Sequence, residues 1–220
     1  MNIFDYYRNA SQRSELQEIL SYAAQQHPSG LGASFLEKDL WVTEILRLLF
    51  NEDLLGELSV AFKGGTALSK CWNVIERFSE DIDLSVHWAD LAGHSEEEEQ
   101  QAWEQSTLNN SQNRRFREQQ QERLTEWTNA LAERLNQRFQ IYNISGLEAK
   151  MEPDSGDEKV DILFPTGERR QYGLSARSYS VGIWRTKSWQ ANRSDACCKL
   201  SVRDCRHGYT PVTHRDRKRL

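Results

Sequence analysis

The stretch FKGGTALSKCWNVIERFSEDIDLSV, residues 62–86, carries three signals in order. A Gly64-Gly65 turn comes first, then a helix-like run from Thr66 to Arg77, then Asp81-Ile82-Asp83 opening a strand that runs to Trp88. Strand geometry sends alternate side chains to opposite faces. Over residues 81–88 this sorts Ile82, Leu84, Val86 and Trp88 onto one face and Asp81, Asp83, Ser85 and His87 onto the other. The first face is core; the second is polar and acidic, with His87 expected to face solvent.

Two carboxylates at i and i+2 on one strand face repel each other unless a cation stands between them. Hard oxygen ligands of this kind suit Mg2+ or Mn2+. The glycines do a complementary job, because a residue without Cβ lets backbone N–H groups approach a phosphate. The helix that follows adds its N-terminal partial positive charge to such an anion site. Lys63, Gly64, Gly65, Thr66 and Lys70 are therefore the candidate nucleotide-binding residues. Ser79 and Arg77 either support the same site or cap the turn. The bland alternative, a plain tight turn beside an exposed acidic strand face, stays open on spacing alone. Other phosphate and metal motifs fail: Ser69 stands where a P-loop needs its second glycine, no G-x-G-x-x-G occurs, and Leu84-Ser85 break an EF-hand pattern.

Outward from this centre, Leu58–Phe62 reads as a short buried strand. Residues 34–51, SFLEKDLWVTEILRLLFN, read as a helix with Ser34 as N-cap and Glu37 completing a capping box. Its expected buried face is Leu40, Trp41, Ile45, Leu48 and Leu49. Residues 11–26 form a further helix. The Glu-, Gln- and Arg-rich segment 95–140 is read as long helix with a thin apolar stripe of Phe116, Leu124, Trp127, Leu131 and Leu135, and the Glu96–Glu99 run as its solvated start. Strand-like pieces return at Gln140–Ile144 and Lys159–Phe164. The 220 residues carry 38% hydrophobic content and seven Trp, enough for a real core, while a net charge of -5 gives no general reason to expect nucleic-acid binding. Neither a secretion signal nor an apolar run of the roughly 20 residues needed by a membrane helix is seen, which points to a cytoplasmic protein with reduced thiols.

Two segments together, EKDLWVT at Glu37–Thr43 and KGGTALSK followed by RFSEDIDL, resemble the nucleotidyltransferase AbiEii/AbiGii toxin family, a branch of the polymerase-β-like nucleotidyltransferase superfamily. The resemblance implies an α/β (α+β) fold: a short mixed sheet carrying the Asp pair, flanking helices and a long helical insertion. It also implies two Mg2+ or Mn2+ ions held by Asp81, Asp83 and a third carboxylate, serving an NTP substrate. Asp161 in Lys159–Phe164 is one choice for that third acid. A rival alignment matches Gly173–Ser178 to a family strand reading Glu-Phe-Gly-Ala-Arg-Ser; the acid then falls on Gly173 and is missing. The implied role is the toxin of a toxin–antitoxin or phage-exclusion pair, with a cognate antitoxin. The acceptor is RNA, tRNA first, or else a protein hydroxyl. The alternative from another class is a catalytically degenerate nucleotide-binding or interaction protein.

The expected organisation is a nucleotidyltransferase domain over residues 1–177. Within it, helices occupy residues 1–55, the core residues 56–90, the helical segment residues 95–140 and strands residues 140–165. A basic, cysteine-containing tail follows at 178–220. No element is placed with any definition after Arg177, and the loss of periodicity suggests a truncated, frame-shifted end. Cys197, Cys198, Cys205, His207 and His214 lack a C-x-x-C knuckle and read as incidental rather than as a zinc site. The cluster Arg206, Arg215, Arg217, Lys218 and Arg219 reads as a disordered basic end before it reads as an RNA grip.

Overall fold

The computed structural model describes residues 3–76, 78, 79, 81–95, 98, 110–153, 158–165 and 176–186, with residues 152–153 and the last strand described as backbone only. The elements in chain order are α1 (Ile3–Tyr7), α2 (Ala10–Gln26), α3 (Ala33–Asn51), β1 (Val60–Lys63), α4 (Gly64–Lys70), β2 (Ile82–His87), α5 (Trp88–Ala92), α6 (Asn110–Tyr142), β3 (Glu148–Pro153), β4 (Glu158–Pro165) and β5 (Ala176–Thr186). The five strands form one mixed sheet in the order β1-β2-β5-β4-β3. β2 and β5 run parallel; the other neighbours are antiparallel. This is the α/β core expected from the sequence.

One face of the sheet is apolar. Ile82, Leu84, Val86, Val160, Ile162 and Phe164 are all fully buried. On α3, Trp41 binds the N-terminal helices to that face, its ring 5.7 Å from Phe4, 5.0 Å from Tyr7 and 5.2 Å from Phe164. α6 adds Leu124, Leu131, Leu135 and Phe139 to the same core. It also covers the edge strand β3: the Asn136 amide donates to the Ala149 carbonyl and accepts from its N–H, both at 2.8 Å. An ion-pair chain runs from Glu44 through Arg47 and Glu52 to Arg138, tying the end of α3 to α6.

Several local expectations are corrected. Gly32, not Ser34, is the N-cap of α3, and it caps without a side chain. Glu37 cannot fold back as a capping box because it is buried, accepting from the Tyr7 hydroxyl and from Gln17 Nε2. Burial and the neighbouring Glu37 charge push the Tyr7 phenol far above the usual tyrosine range. Leu40 is 40% exposed, being one position off the stripe, while Val42 and Leu46 are buried. The helix after the glycines stops at Lys70 rather than Arg77, since Asn73 takes a left-handed φ of 49°. Trp88 starts α5 instead of ending β2. Residues 140–142 are the end of α6, which gives way at Asn143 with φ 51°; the strand begins only at Glu148. β5 spans the position, residue 177, at which the first domain was expected to end, and it occupies the sheet centre. The residues read as a basic, cysteine-containing end beyond 186 lie outside the described residues.

Removing the Trp41 ring by Trp41→Ala is expected to cost about 3–5 kcal/mol of stability, because a fully buried aromatic contacting three others leaves a cavity. Urea unfolding followed by fluorescence checks this.

Candidate functional site

β1 and β2 pair so that Lys63 stands opposite Asp83. The chain then turns at Gly64, with a φ of +78° that favours glycine. Space makes the same demand. A Cβ on Gly64 would lie 1.9 Å from Asp83 Oδ2 and 2.8 Å from its Cγ, so the Asp83 carboxylate rests directly on the Gly64 backbone. The Gly-Gly turn and the acid pair are thus one piece of structure. Gly65 continues into the first turn of α4.

Thr66 locks the other half of this arrangement. It is fully buried, donates to the Asp81 carbonyl at 2.5 Å and lies 2.9 Å from Ser79 Oγ. Both hydroxyls of the expected nucleotide set are thereby engaged with each other and with the backbone that delivers Asp81. Lys70, at the far end of α4, pairs with Asp39 Oδ1 at 2.7 Å and donates to Thr43 Oγ1 at 3.0 Å. Asp39 and Thr43 come from the EKDLWVT segment, and sequence reading missed this contact. Their i,i+4 spacing was the available signal, since it places both on one helix stripe while Glu37 and Trp41 form the buried one.

On the sheet, paired residues share a face. Lys63, Asp83, Gly182 and Lys159 therefore form one row across β1, β2, β5 and β4. Asp161 pairs with Ser180 in the next row, the row that Asp81 enters by continuing the register of β2. Asp161 thus lies on the same face as the Asp pair, but with β5 between them. Two strand spacings put its Cα about 10 Å from that of Asp81. Among the described residues no three His, Cys, Asp or Glu side chains come together as a metal-binding group. The chemistry of the pair itself fits a hard divalent cation: two carboxylates on one strand face, Asp81 exposed and Asp83 half-buried. Gly173 and Arg77 lie outside the described residues, as do the late cysteines and histidines.

His87 is not the solvent-facing histidine expected. Its side chain is 13% exposed, with Nδ1 3.1 Å from Asp90 Oδ1. Asp90 Oδ2 accepts from the Ser59 N–H at 2.7 Å. Partial burial pushes the Asp90 carboxyl up, but the hydrogen bonds from Ser59 and His87 outweigh it and hold the group below the usual aspartate range. Of the Glu96–Glu99 run, Glu98 is described; it accepts from the Ser95 N–H at 2.8 Å and donates its own N–H to Ser95 Oγ, a reciprocal pair of hydrogen bonds.

The family model described as nucleotidyl transferase AbiEii toxin, type IV toxin–antitoxin system, matches residues 47–177, more than half of the chain. The match includes the Gly-Gly turn, the Asp pair and Asp161, and begins after EKDLWVT. No curated protein and no solved structure matches.

Gly64→Ala strains the backbone and displaces Asp83. It is expected to lower stability by about 1–3 kcal/mol, read by urea unfolding. For Asp90, the folded value lies below the unfolded one. Its contribution to stability is therefore complete above the ordinary aspartate range near pH 4 and is lost as pH falls through the lowered value. Asp90→Asn should flatten the acid limb of a thermal-unfolding profile recorded between about pH 3 and 6.

Proposed function

This chain belongs to the nucleotidyl transferase AbiEii toxin family, and on that premise we propose that it is a metal-dependent enzyme that moves a nucleoside monophosphate from an NTP to an acceptor hydroxyl. The observation that carries the reading is the Gly64–Asp83 contact, which joins a Gly-Gly turn to a carboxylate pair. In this reading the backbone of Gly64 and Gly65 receives the triphosphate, and Lys63 neutralises some of its charge. Asp81 and Asp83 would hold Mg2+ or Mn2+. When bound, such a cation would neutralise charge at the transferring phosphoryl group. Thr66 and Ser79 keep the Asp81 segment in place. In the transfer, the acceptor oxygen bonds to the α-phosphorus, the bond to the bridging oxygen breaks, and pyrophosphate departs while the hydroxyl proton passes to solvent. The protein's share is positioning and electrostatics.

The acceptor we assign is RNA, tRNA first, the class implied by the resemblance of KGGTALSK and RFSEDIDL; a protein hydroxyl is the second arm of the test. As a toxin of a type IV system the protein works against an antitoxin, and we place the pair in the cytoplasm. No helix among the described residues is long and apolar enough to cross a membrane. One observation favours the second reading, a non-catalytic nucleotide-binding protein: Asp161 stands beyond β5 rather than beside the Asp pair.

Label transfer from each of four α-labelled NTPs onto total tRNA and onto protein separates these readings. Wild-type protein with Mg2+ or Mn2+ should label one acceptor with one preferred nucleotide, and Asp81→Asn/Asp83→Asn should lower the rate by at least about a hundredfold. Labelled protein in place of tRNA would reassign the acceptor. No label from folded wild-type protein would favour the non-catalytic reading.

A further inference from the structure

We propose that Asp39 is a positioning residue for nucleotidyl transfer. Acting through Lys70, it fixes α4 and so the seat that Gly64 gives Asp83. The proposal rests on the transferase reading above and adds a role for the segment EKDLWVT, which lies outside the family match.

α4 has seven residues, and only Thr66 and Ala67 of these are buried. A helix this short has no stability of its own. Its outer side offers little apolar contact: Leu68 is 43% exposed, and Trp72, just beyond the helix, is 58% exposed. Polar contacts at its two ends therefore decide where it sits. At the start, Thr66 bonds to the Asp81 carbonyl. At the end, Lys70 reaches α3, where two acceptors meet its ammonium. Asp39 Oδ1 lies at 2.7 Å and Thr43 Oγ1 at 3.0 Å. The Thr43 hydroxyl donates to the Asp39 carbonyl at 2.8 Å, which leaves its oxygen turned to accept from Lys70. Two of the three ammonium N–H bonds are thus directed at α3. α3 itself is held in the core by Trp41, Ile45 and Leu48, all fully buried, so the strut has a rigid foot.

Lys70 and Asp39 keep 21% and 39% of their side-chain surface exposed. An ion pair this open contributes little to overall stability. Its consequence lies in placement, because small displacements of reacting groups cost far more in rate than in folding. Lys70 then acts as a strut in place of the direct phosphate contact expected from the sequence.

The test is a double-mutant cycle on Asp39→Asn and Lys70→Met, with kcat and KM for the preferred NTP measured in the label-transfer assay. Each single variant is expected to lower kcat about tenfold with KM changed less than about threefold, and the double variant to be no worse than either. The exchanged pair Asp39→Lys/Lys70→Asp should recover most of the lost kcat. A large rise in KM in Lys70→Met that Asp39→Asn does not share would overturn the strut, because Lys70 would then be touching the triphosphate. So would additive losses in the double variant. Amide hydrogen exchange over residues 64–70 supplies a readout that needs no turnover. Faster exchange in Asp39→Asn supports the strut even if wild-type protein transfers nothing, in which case the transferase reading alone fails; unchanged exchange overturns the strut.

Discussion

The backbone of Gly64 lies against the carboxylate of Asp83, and everything else at the site depends on that contact. A Cβ there would come within 1.9 Å of Asp83 Oδ2, and the φ of +78° independently asks for glycine. The residue that lets the chain turn from β1 into α4 is thus the same residue that makes room for the Asp83 carboxylate. Thr66 repeats the coupling one turn on, linking α4 to the carbonyl of Asp81. The two halves of the motif are held by each other as well as by the pairing of β1 with β2, which is why neither fragment means much alone in a sequence.

The sheet behind the site divides the labour by face. Its apolar side receives α3 and α6 and supplies the rigidity. The other side carries Lys63, the Asp pair, Lys159 and Asp161 in two adjacent rows. The central strand β5 brings no carboxylate into those rows; its register positions there are Ser180 and Gly182. The acid pair is therefore complete on β2, while Asp161 stands one strand further out, beyond β5.

Much of this was legible in the sequence. The two faces of β2 follow from strict alternation, and Asp161 reads correctly as a strand residue between apolar neighbours. The failures have physical causes. The helical pattern of Thr66–Arg77 continues past Lys70, but the left-handed turn at Asn73 ends it, and side-chain periodicity carries no record of a positive φ. Glu37 looked like a cap because its spacing from Ser34 fits one; its burial against Tyr7 is a tertiary contact thirty residues away in sequence. β5 was missed although Ser178, Ser180 and Gly182 alternate with Tyr179, Val181 and Ile183, because the aperiodic residues that follow hid the period. The Lys70–Asp39 contact joins two motifs that periodicity treats separately.

Whether the Gly64–Asp83 contact is where nucleotide and metal meet is tested most directly by a crystal structure of the protein with Mn2+ and a non-hydrolysable NTP, the metal being located by its anomalous signal. A Mn2+ peak is expected between the carboxylates of Asp81 and Asp83, with phosphate oxygens against the backbone of Gly64 and Gly65. Metal and phosphates bound elsewhere, with the Gly64–Asp83 contact left bare, would contradict it.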